Sequence, residues 1–420
     1  MNAGTIPVTI LSGPLGAGKT TLLNHLLHNA GDLDIAVLVN DMGEINVDAG
    51  LVSDNSELSV ADGGVTELSN GCICCELQDD LNTAVVRLAQ NREFDHLVVE
   101  SSGISEPEPV ARLFTTESRA AALYTVDSLV TVVDSRLFFD TFGGEGVPER
   151  RGTDDEDTHP LSDLLVEQVE FSNLVVCNKT DLVSDAELAA VEEMVLALRP
   201  DAELRRTTHG QLDPHDLLGQ GLYDPQTAAE QAGWKQALAA DEDADHGHNH
   251  RNTHAHGDAD ESDAHHGHSH PQDVYGVSSF TYRARRPFHP KRIADLLASL
   301  PAGIIRSKGT CWVAGCGDNI LTYGQAGPSA RFEVTGPWVA SLSELDQELY
   351  RANRPNLDWH DEWGDRRTEL VFIGTDLQED RLRQSLSDCL LTDAEMDADW
   401  EDFENPLPAE LEGVAVVAEP

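Results

Sequence analysis

A short segment near the start of the chain has the residue types and spacing that bind nucleotide phosphates. Gly13–Thr20 reads Gly-Pro-Leu-Gly-Ala-Gly-Lys-Thr and fits the pattern G-x-x-x-x-G-K-[ST]. Glycines let backbone N–H groups curl around phosphate oxygens, and the start of the following helix adds partial positive charge. We expect Lys19 to reach the β- and γ-phosphates and the Thr20 hydroxyl to bind Mg²⁺. The predicted phosphate contacts are Gly13, Pro14, Leu15, Gly16, Ala17, Gly18, Lys19, Thr20 and Thr21.

A second element, Asn178-Lys179-Thr180-Asp181, closes an apolar run further along the chain. It resembles the N-K-x-D element of GTPases, in which the aspartate accepts from guanine N1–H and the 2-amino group and the lysine stem packs on the base. Four residues alone are a weak pattern, and a strand-ending turn is the structural alternative. Its place downstream of a phosphate-binding loop favours guanine over adenine. Asn178, Lys179 and Asp181 are therefore predicted base contacts.

Acidic residues lie at or just after the ends of two other apolar runs. Glu100 ends one of them, and in nucleotide hydrolases an acid at the tip of a buried strand holds the Mg²⁺ sphere, while a nearby glycine, here Gly103, contacts the γ-phosphate. Asp41 and Glu44 follow the other run, where a switch loop would sense that phosphate. We expect Asp41 to bind Mg²⁺ or zinc and Glu44 to bind zinc. The alternative for each acid is a helix cap or a turn.

Three thiols lie within four residues at Cys72-Ile73-Cys74-Cys75. Thiolates are soft ligands that select Zn²⁺ or Cu(I), and three of them leave an exchangeable position that suits metal transfer. A structural zinc knuckle and a redox pair are the alternatives. The chain has 7 cysteines, and this odd number in a chain that we expect to be cytoplasmic argues against a disulfide framework. The other four are expected to be buried by apolar packing: Cys177, Cys311, Cys316 and Cys389.

Histidines are concentrated in one segment that is otherwise Asp, Gly and Ala. Neutral imidazoles on a flexible chain bind Zn²⁺ with modest affinity and fast exchange, so we expect this segment to collect metal. An inert spacer is the alternative. The histidines are His246, His248, His250, His254, His256, His265, His266, His268 and His270.

Short Val-, Ile- and Leu-rich runs alternate with helix-like stretches over the first half of the chain, which predicts an α/β doubly wound, mostly parallel sheet. The predicted strands there are Ile6–Ser12, Ile35–Asn40, His96–Ser101, Leu129–Asp134 and Leu174–Asn178, with helices at Thr20–His28, Gln78–Gln90 and Asp185–Leu198.

A smaller α+β domain follows, with strands at Val274–Tyr282, Cys311–Ala314 and Leu370–Gly374 and helices at Pro290–Leu300 and Glu379–Cys389. The predicted boundaries are 1–225, a flexible His/Asp-rich linker at 226–273, 274–395, and an acidic tail at 396–420.

The charge balance is strongly acidic, because 28 Lys+Arg face 75 Asp+Glu and give a net charge of −47. Such a surface repels phosphate backbones and anionic lipid, which disfavours nucleic-acid and membrane partners.

The only lysines are Lys19, Lys179, Lys235, Lys291 and Lys308. Scarce lysine with abundant acid is typical of salt-loving organisms, where charge repulsion is screened within about 3 Å at 1 M salt. An ordinary acidic protein is the alternative. No signal-peptide or membrane-spanning pattern is present, so we expect a cytoplasmic protein.

The order of Gly13–Thr20, Gly71–Cys75, Glu100–Gly103 and Asn178–Asp181 resembles that of the CobW-like family of metal-handling P-loop GTPases, whose hallmark is the Gly-Cys-Ile-Cys-Cys element. The C-terminal half is similar to the CobW C-terminal domain, and most similar to the zinc-responsive, YciC-like branch of zinc chaperones. The segments that carry this second likeness are Tyr282–Pro290, Arg306–Gly309 with Trp312, Glu369–Gly374 and Cys389–Thr392.

The resemblance implies slow GTP hydrolysis, with Lys19 and Glu100 as catalytic residues, coupled to delivery of a divalent metal to client metalloproteins. It implies GTP, Mg²⁺ and Zn²⁺ as ligands and a monomer or homodimer. Asp41 stands where the family often has Glu, which shortens that carboxylate. Two alternatives remain at this point. One is a GTPase that handles Co²⁺ for corrinoid synthesis or hydratase metallation, and the other is a non-enzymatic zinc buffer dominated by the histidine segment.

Overall fold

The computed structural model describes residues 4–39, 65–67, 75–101, 103, 107–115, 118–143, 161–225, 231–239, 277–301, 303–316, 318–354, 357–375, 377–408 and 413–418; for 39, 65–67, 75–80 and 418 it describes the backbone alone. The chain divides into two compact units, Met1–Ala232 and Gly233–Pro420. Within the described ranges, no helix is both long and apolar enough to cross a membrane.

The first unit is an α/β domain, as the sequence predicts, and every strand pairing described in its sheet is parallel. Its elements are β1 (Ile6–Ser12), α1 (Lys19–His28), β2 (Ile35–Val39), β3 (Val65–Glu67), α2 (Cys75–Asn91), β4 (His96–Glu100), α3 (Glu108–Thr115), β5 (Tyr124–Asp134), α4 (Ser135–Phe142), α5 (Leu161–Phe171), β6 (Leu174–Asn178), α6 (Asp185–Leu198) and β7 (Glu203–Arg206). The strand order in the sheet is β3-β2-β4-β1-β5-β6-β7. The five predicted apolar strands are β1, β2, β4, β5 and β6.

The central strands are buried on both faces, which explains their continuous apolar runs. In β1, Ile10 packs in one hydrophobic cluster and Leu11 packs in the other. Val98 and Val99 of β4 divide between the same two clusters. Because successive strand side chains point to opposite faces, this division places a hydrophobic layer on each side of the sheet. The sheet is therefore doubly wound, and its central strands present their carboxyl ends at one edge.

Two buried polar residues, His96 and Asp127, lie where the segment around residues 219–221 contacts the sheet. The Asp127 carboxylate accepts hydrogen bonds from the backbone N–H groups of Gly219, at 2.9 Å, and Gly221, at 2.7 Å. His96 Nε2 lies 2.8 Å from Thr9 Oγ1 and 3.9 Å from Asp127 Oδ2. Burial lowers the pKa of His96, and the Asp127 charge opposes that effect in part. The segment around Gly219 and Gly221 is thus held to β5 by partly buried hydrogen bonds.

The second unit is a smaller α+β domain built on an antiparallel sheet. The elements are β8 (Val277–Ala284), α7 (Pro290–Leu297), β9 (Ile304–Cys311), β10 (Asn319–Ala326), β11 (Ser329–Pro337), α8 (Glu344–Asn353), β12 (Thr368–Thr375), α9 (Glu379–Asp388), α10 (Asp393–Met396) and β13 (Val414–Ala418). The strand order in the sheet is β13-β11-β10-β9-β12-β8. The predicted segments at 274–282, 370–374, 290–300 and 379–389 correspond to β8, β12, α7 and α9.

The structure differs from the predicted boundaries of the second domain at both ends. Residues 233–239, inside the predicted linker, are helical, and Lys308 Nζ lies 5.1 Å from the ring centroid of Trp234. At the other end, β13 pairs with β11 and Leu407 is buried in the hydrophobic core, so 396–420 is not simply an acidic tail. Apolar residues such as Trp234 and Leu407 are few in the two segments, 226–273 and 396–420, and the Asp, Glu and His residues around them obscured them in the sequence. The predicted strand Cys311–Ala314 is also corrected, since β9 ends at Cys311.

The four isolated cysteines are core residues, which confirms the prediction for them. All four are free and buried. Burial raises the pKa of the Cys177 thiol to about 12 and the pKa values of Cys316 and Cys389 to about 11. These thiols therefore stay protonated near neutral pH and do not offer thiolates to a metal.

Gly309 of β9 lies where no side chain fits, and this leads to a prediction about stability. Its φ is +153°, and an added Cβ would lie 1.9 Å from the Glu369 carbonyl oxygen of β12. We expect Gly309→Ala to lower the free energy of unfolding of the second unit by about 3 kcal/mol or more, because β9 and β12 must separate locally. Urea unfolding measures this change.

Gly324→Ala is the matched control for that variant. Gly324 lies in β10, next to β9, and an added Cβ there meets nothing within 4 Å. We expect a change within about 1 kcal/mol for this substitution. Equal effects of the two variants would contradict the steric explanation.

Candidate functional site

The predicted phosphate loop lies between the carboxyl end of β1 and the start of α1. Two of its glycines have no room for a side chain. Gly13 has φ +139°, and a Cβ there would lie 2.3 Å from the Val132 carbonyl oxygen. Gly18 has φ +106°, and its Cβ would lie 2.3 Å from Asn178 Nδ2. Only glycine gives this combination of left-handed φ and close approach, so the backbone can curve tightly at this point.

Lys19 is the first residue of α1 and is 5% exposed. Its Nζ donates hydrogen bonds to the carbonyl oxygens of Gly13, at 2.8 Å, and Pro14, at 3.3 Å. The ammonium group is therefore folded back over the loop. Thr20 follows in the first turn of α1 and is half-buried, while Thr21 is exposed. The loop, the lysine charge and the helix start together form an arrangement suited to an anion.

The carboxyl end of β4 lies beside this loop. Glu100 is the last residue of β4, is 2% exposed, and is level with Leu11 of β1 in the sheet register. Gly103 approaches the loop closely, because an added Cβ would lie 2.8 Å from Leu15 N and 3.2 Å from Lys19 Nζ. The structure thus brings Gly103 to the phosphate loop. The Glu100 carboxylate and the Thr20 hydroxyl are hard oxygen donors of the kind that Mg²⁺ prefers, so this donor set fits the predicted ion.

Asn178 joins the predicted base element to the phosphate loop. It is the last residue of β6 and is 2% exposed. Its Nδ2 donates to the Ala17 carbonyl oxygen at 2.8 Å, and its Oδ1 accepts from Gly210 N at 3.2 Å. The side-chain amide therefore ties three segments together: the loop, β6 and the turn after β7.

The next two positions of this element differ in their surroundings. Lys179 has φ +58°, and its Nζ donates to Asp134 Oδ2 at 2.6 Å. Asp181 lies in a single 3₁₀ turn, Thr180–Leu182, and is exposed. An exposed carboxylate after a fixed lysine can accept hydrogen bonds from a ligand.

Two features of the site were not predicted from the sequence. Asp134 ends β5 and contacts Lys179, and an acid at the carboxyl end of a predicted strand was the available signal. Gly210 follows β7, and an added Cβ on it would lie 2.8 Å from Leu22 N, so this turn packs directly on α1. No signal marked it, because β7 itself was not predicted.

The predicted metal-binding residues lie mostly outside the described ranges. Asp41, Glu44, Cys72, Cys74 and the nine linker histidines are not described, and of Cys75 only the backbone is described, as the first residue of α2. Within the ranges that the structure does describe, no group of three or more His, Cys, Asp or Glu side chains is placed to hold a metal ion. The zinc assignment therefore stays a prediction from the sequence.

Comparison with known proteins decides the family. Residues 7–206 match the model of the CobW/HypB/UreG nucleotide-binding domain, and residues 277–390 match that of the cobalamin synthesis protein cobW C-terminal domain. The chain is 37% identical over 420 residues to zinc-regulated GTPase metalloprotein activator 1 of Dictyostelium discoideum, covering 93% of this chain and 81% of that protein. The chain belongs to the CobW/HypB/UreG family of P-loop GTPases.

Bacterial members of the family are also similar to the chain. The zinc chaperone YjiA of Escherichia coli is 26% identical over 389 residues, covering 91% of this chain and 98% of that protein. The zinc chaperone CobW of Pseudomonas aeruginosa is 37% identical over 225 residues, covering 51% of this chain and 60% of that protein. The CobW/HypB/UreG assignment confirms both the family resemblance and the two-domain fold class expected from the sequence.

Proposed function

We propose that this CobW/HypB/UreG-family chain hydrolyses GTP and uses hydrolysis to control the zinc that it carries to client metalloproteins. The observation that supports this most directly is the convergence of the phosphate loop, Gly103 and Asn178 at the carboxyl edge of one parallel sheet. Ligands of open α/β sheets bind in the crevice at that edge.

In this proposal the described residues have distinct roles at the nucleotide. Lys19 binds the phosphates and stabilises the charge that develops on them. Thr20 and Glu100 hold Mg²⁺, which neutralises phosphate charge when it is bound. Gly103 lies where its backbone can meet the γ-phosphate, and Asp181 accepts from the guanine edge while the Lys179 stem packs on the base.

Zinc is the cargo in this proposal, and its ligands are assigned from the sequence. Cys72, Cys74 and Cys75 bind the ion as thiolates, with Asp41 or Glu44 completing the ligand set. The nine linker histidines bind zinc weakly and raise its concentration near the thiols. Because switch segments rearrange when the γ-phosphate is lost, the GTP and GDP states present different metal affinities.

We further propose that the protein works in a cytoplasm of high salt concentration. The net charge of −47 and the five lysines support this setting. At about 1 M salt, the repulsion between charges on the acidic surface is screened beyond about 3 Å. Assays are therefore best run at molar salt.

The test is a zinc competition titration against a chelator, with Mg²⁺–GDP or with Mg²⁺ and a non-hydrolysable GTP analogue. We expect the two zinc affinities to differ by about tenfold or more, because a nucleotide shifts metal binding only through differential affinity for the two states. The matched control carries asparagine at all nine linker histidines, which removes weak sites and leaves the thiols.

The outcomes of this titration separate the rival functions. Equal zinc affinities in both nucleotide states, with most zinc binding lost in the variant that lacks the nine linker histidines, would show that the protein is a zinc buffer that also binds nucleotide. A nucleotide-dependent affinity for Co²⁺ that is absent for Zn²⁺ would replace zinc with cobalt as the cargo.

A further inference from the structure

The Asp134–Lys179 ion pair connects two neighbouring strands at the predicted base site. Asp134 is the last residue of β5, and Lys179 directly follows β6. The pair is partly buried, with side-chain exposures of 15% for Asp134 and 31% for Lys179, and its Nζ–Oδ2 distance is 2.6 Å. A charged hydrogen bond of this length in a partly buried position is strong and resists screening by salt.

The Asp134 carboxylate is itself held in place by α4. Its Oδ1 accepts hydrogen bonds from Arg136 N and Leu137 N, each at 3.1 Å, and caps the N-terminus of that helix. One oxygen therefore fixes the carboxylate to α4, while the other binds Lys179. The backbone of Lys179 is also in the left-handed region, at φ +58°, which restricts where its stem can lie.

The neighbouring Arg136 guanidinium does not compete with Lys179 for the Asp134 carboxylate. The Arg136 guanidinium binds Glu187 at 2.9 Å and also contacts Asp140. Glu187 in turn belongs to the capping box at the start of α6. Arg136 thus joins α4 to α6, and the Asp134 carboxylate remains available to Lys179.

We propose that Asp134 is a positioning residue for guanine binding. By holding Lys179 Nζ, it fixes the lysine stem as a preformed surface on which the base packs, so that less side-chain freedom is lost when nucleotide binds. This inference rests on the proposed function, because it takes Lys179 as a base contact.

The test is a double-mutant cycle on Mg²⁺–GDP affinity. Asp134→Asn removes the charge but keeps a good N-cap, since asparagine caps helices as well as aspartate. We expect Asp134→Asn and Lys179→Ala each to weaken GDP binding about tenfold, and the double variant to be no weaker than Lys179→Ala alone. Such non-additivity shows that Asp134 acts through Lys179.

Asp213→Asn is the matched control. Asp213 Oδ1 accepts from His215 N at 2.9 Å and caps a short helix without binding a lysine. We expect this variant to bind GDP as the wild type does. A merely structural role of Asp134 predicts instead that Asp134→Asn weakens GDP binding equally in the Lys179→Ala background.

Each result is decisive for one of the two hypotheses. An additive cycle, or an Asp134→Asn variant with wild-type GDP affinity, overturns the positioning role while GTPase function stands. A wild-type protein that binds ATP in place of guanine nucleotides overturns the proposed function itself.

Discussion

Gly18→Ala is expected to abolish GTP binding at micromolar nucleotide concentrations. The new Cβ would lie 2.3 Å from Asn178 Nδ2, a separation that real Cβ atoms essentially never show. Either the amide would have to leave the Ala17 carbonyl oxygen or the loop would have to move away from β6, and each change breaks the contact between the loop and the base element. The residue would also keep an unfavourable φ of +106°. We expect GTP affinity to fall about 100-fold or more, because both the phosphate and the base contacts are displaced.

Gly31→Ala is the control for the backbone part of this effect. Gly31 lies in the same unit with φ +63°, and an added Cβ there meets nothing within 4 Å. Alanine at position 31 would carry the conformational cost of a left-handed residue, but its Cβ would not collide with any neighbouring atom. Isothermal titration with a non-hydrolysable GTP analogue, together with the shift in melting temperature that this analogue causes, measures both variants. Wild-type affinity in Gly18→Ala would show that the contact between loop and base element is dispensable.

Cys74→Ala is the second substitution with a large expected effect. If Cys72, Cys74 and Cys75 bind one zinc ion, removing one thiolate leaves an incomplete ligand set, and tight zinc affinity should fall about 1,000-fold or more. GTP affinity should not change, since Lys19, Thr20 and Asn178 are untouched. The measurement is a chelator competition, run beside a titration with a non-hydrolysable GTP analogue on the same protein.

Cys389→Ala is the matched control for the thiol. Its sulfur is buried and donates to the Arg292 carbonyl oxygen at 3.4 Å, and burial raises its pKa to about 11. We expect zinc affinity to remain at the wild-type value. Parallel loss of zinc and GTP binding in Cys74→Ala would mean that the two sites are not separate.

The sequence predicts the first unit well because its central strands are buried on both faces. That burial makes β1, β4 and β6 continuous apolar runs, which are visible without any knowledge of partners. By contrast, β7 reads Glu-Leu-Arg-Arg at the sheet edge, and β10 includes Asn319, Gly324 and Gln325. In β7 few residues are apolar, and in β10 the polar and glycine residues interrupt the buried Leu321 and Tyr323, so a single-sequence pattern does not reveal either strand.

The same distinction applies to the site. The phosphate loop is one continuous segment, so its chemistry is visible in eight consecutive residues. The contact between Asp134 and Lys179 joins positions on different strands, and it exists only because β5 and β6 are neighbours in the sheet. Hydrophobic periodicity indicates which residues are buried but does not indicate which polar side chains meet. The contacts that position Lys179 and Asn178 are therefore visible only in the structure, although the place of Asp134 at the end of a predicted strand marked it as a candidate.

The pairing of β13 has a practical consequence for any shortened form of the protein. A chain cut after residue 395 would lose the strand that covers Ala330–Glu333 of β11 and would remove Leu407 from the core. The uncovered strand would present unpaired N–H and C=O groups, which are a template for edge-to-edge aggregation. Shortened forms should therefore retain the chain through Ala418, and proteolysis within residues 396–418 should first appear as self-association rather than as loss of GTP binding.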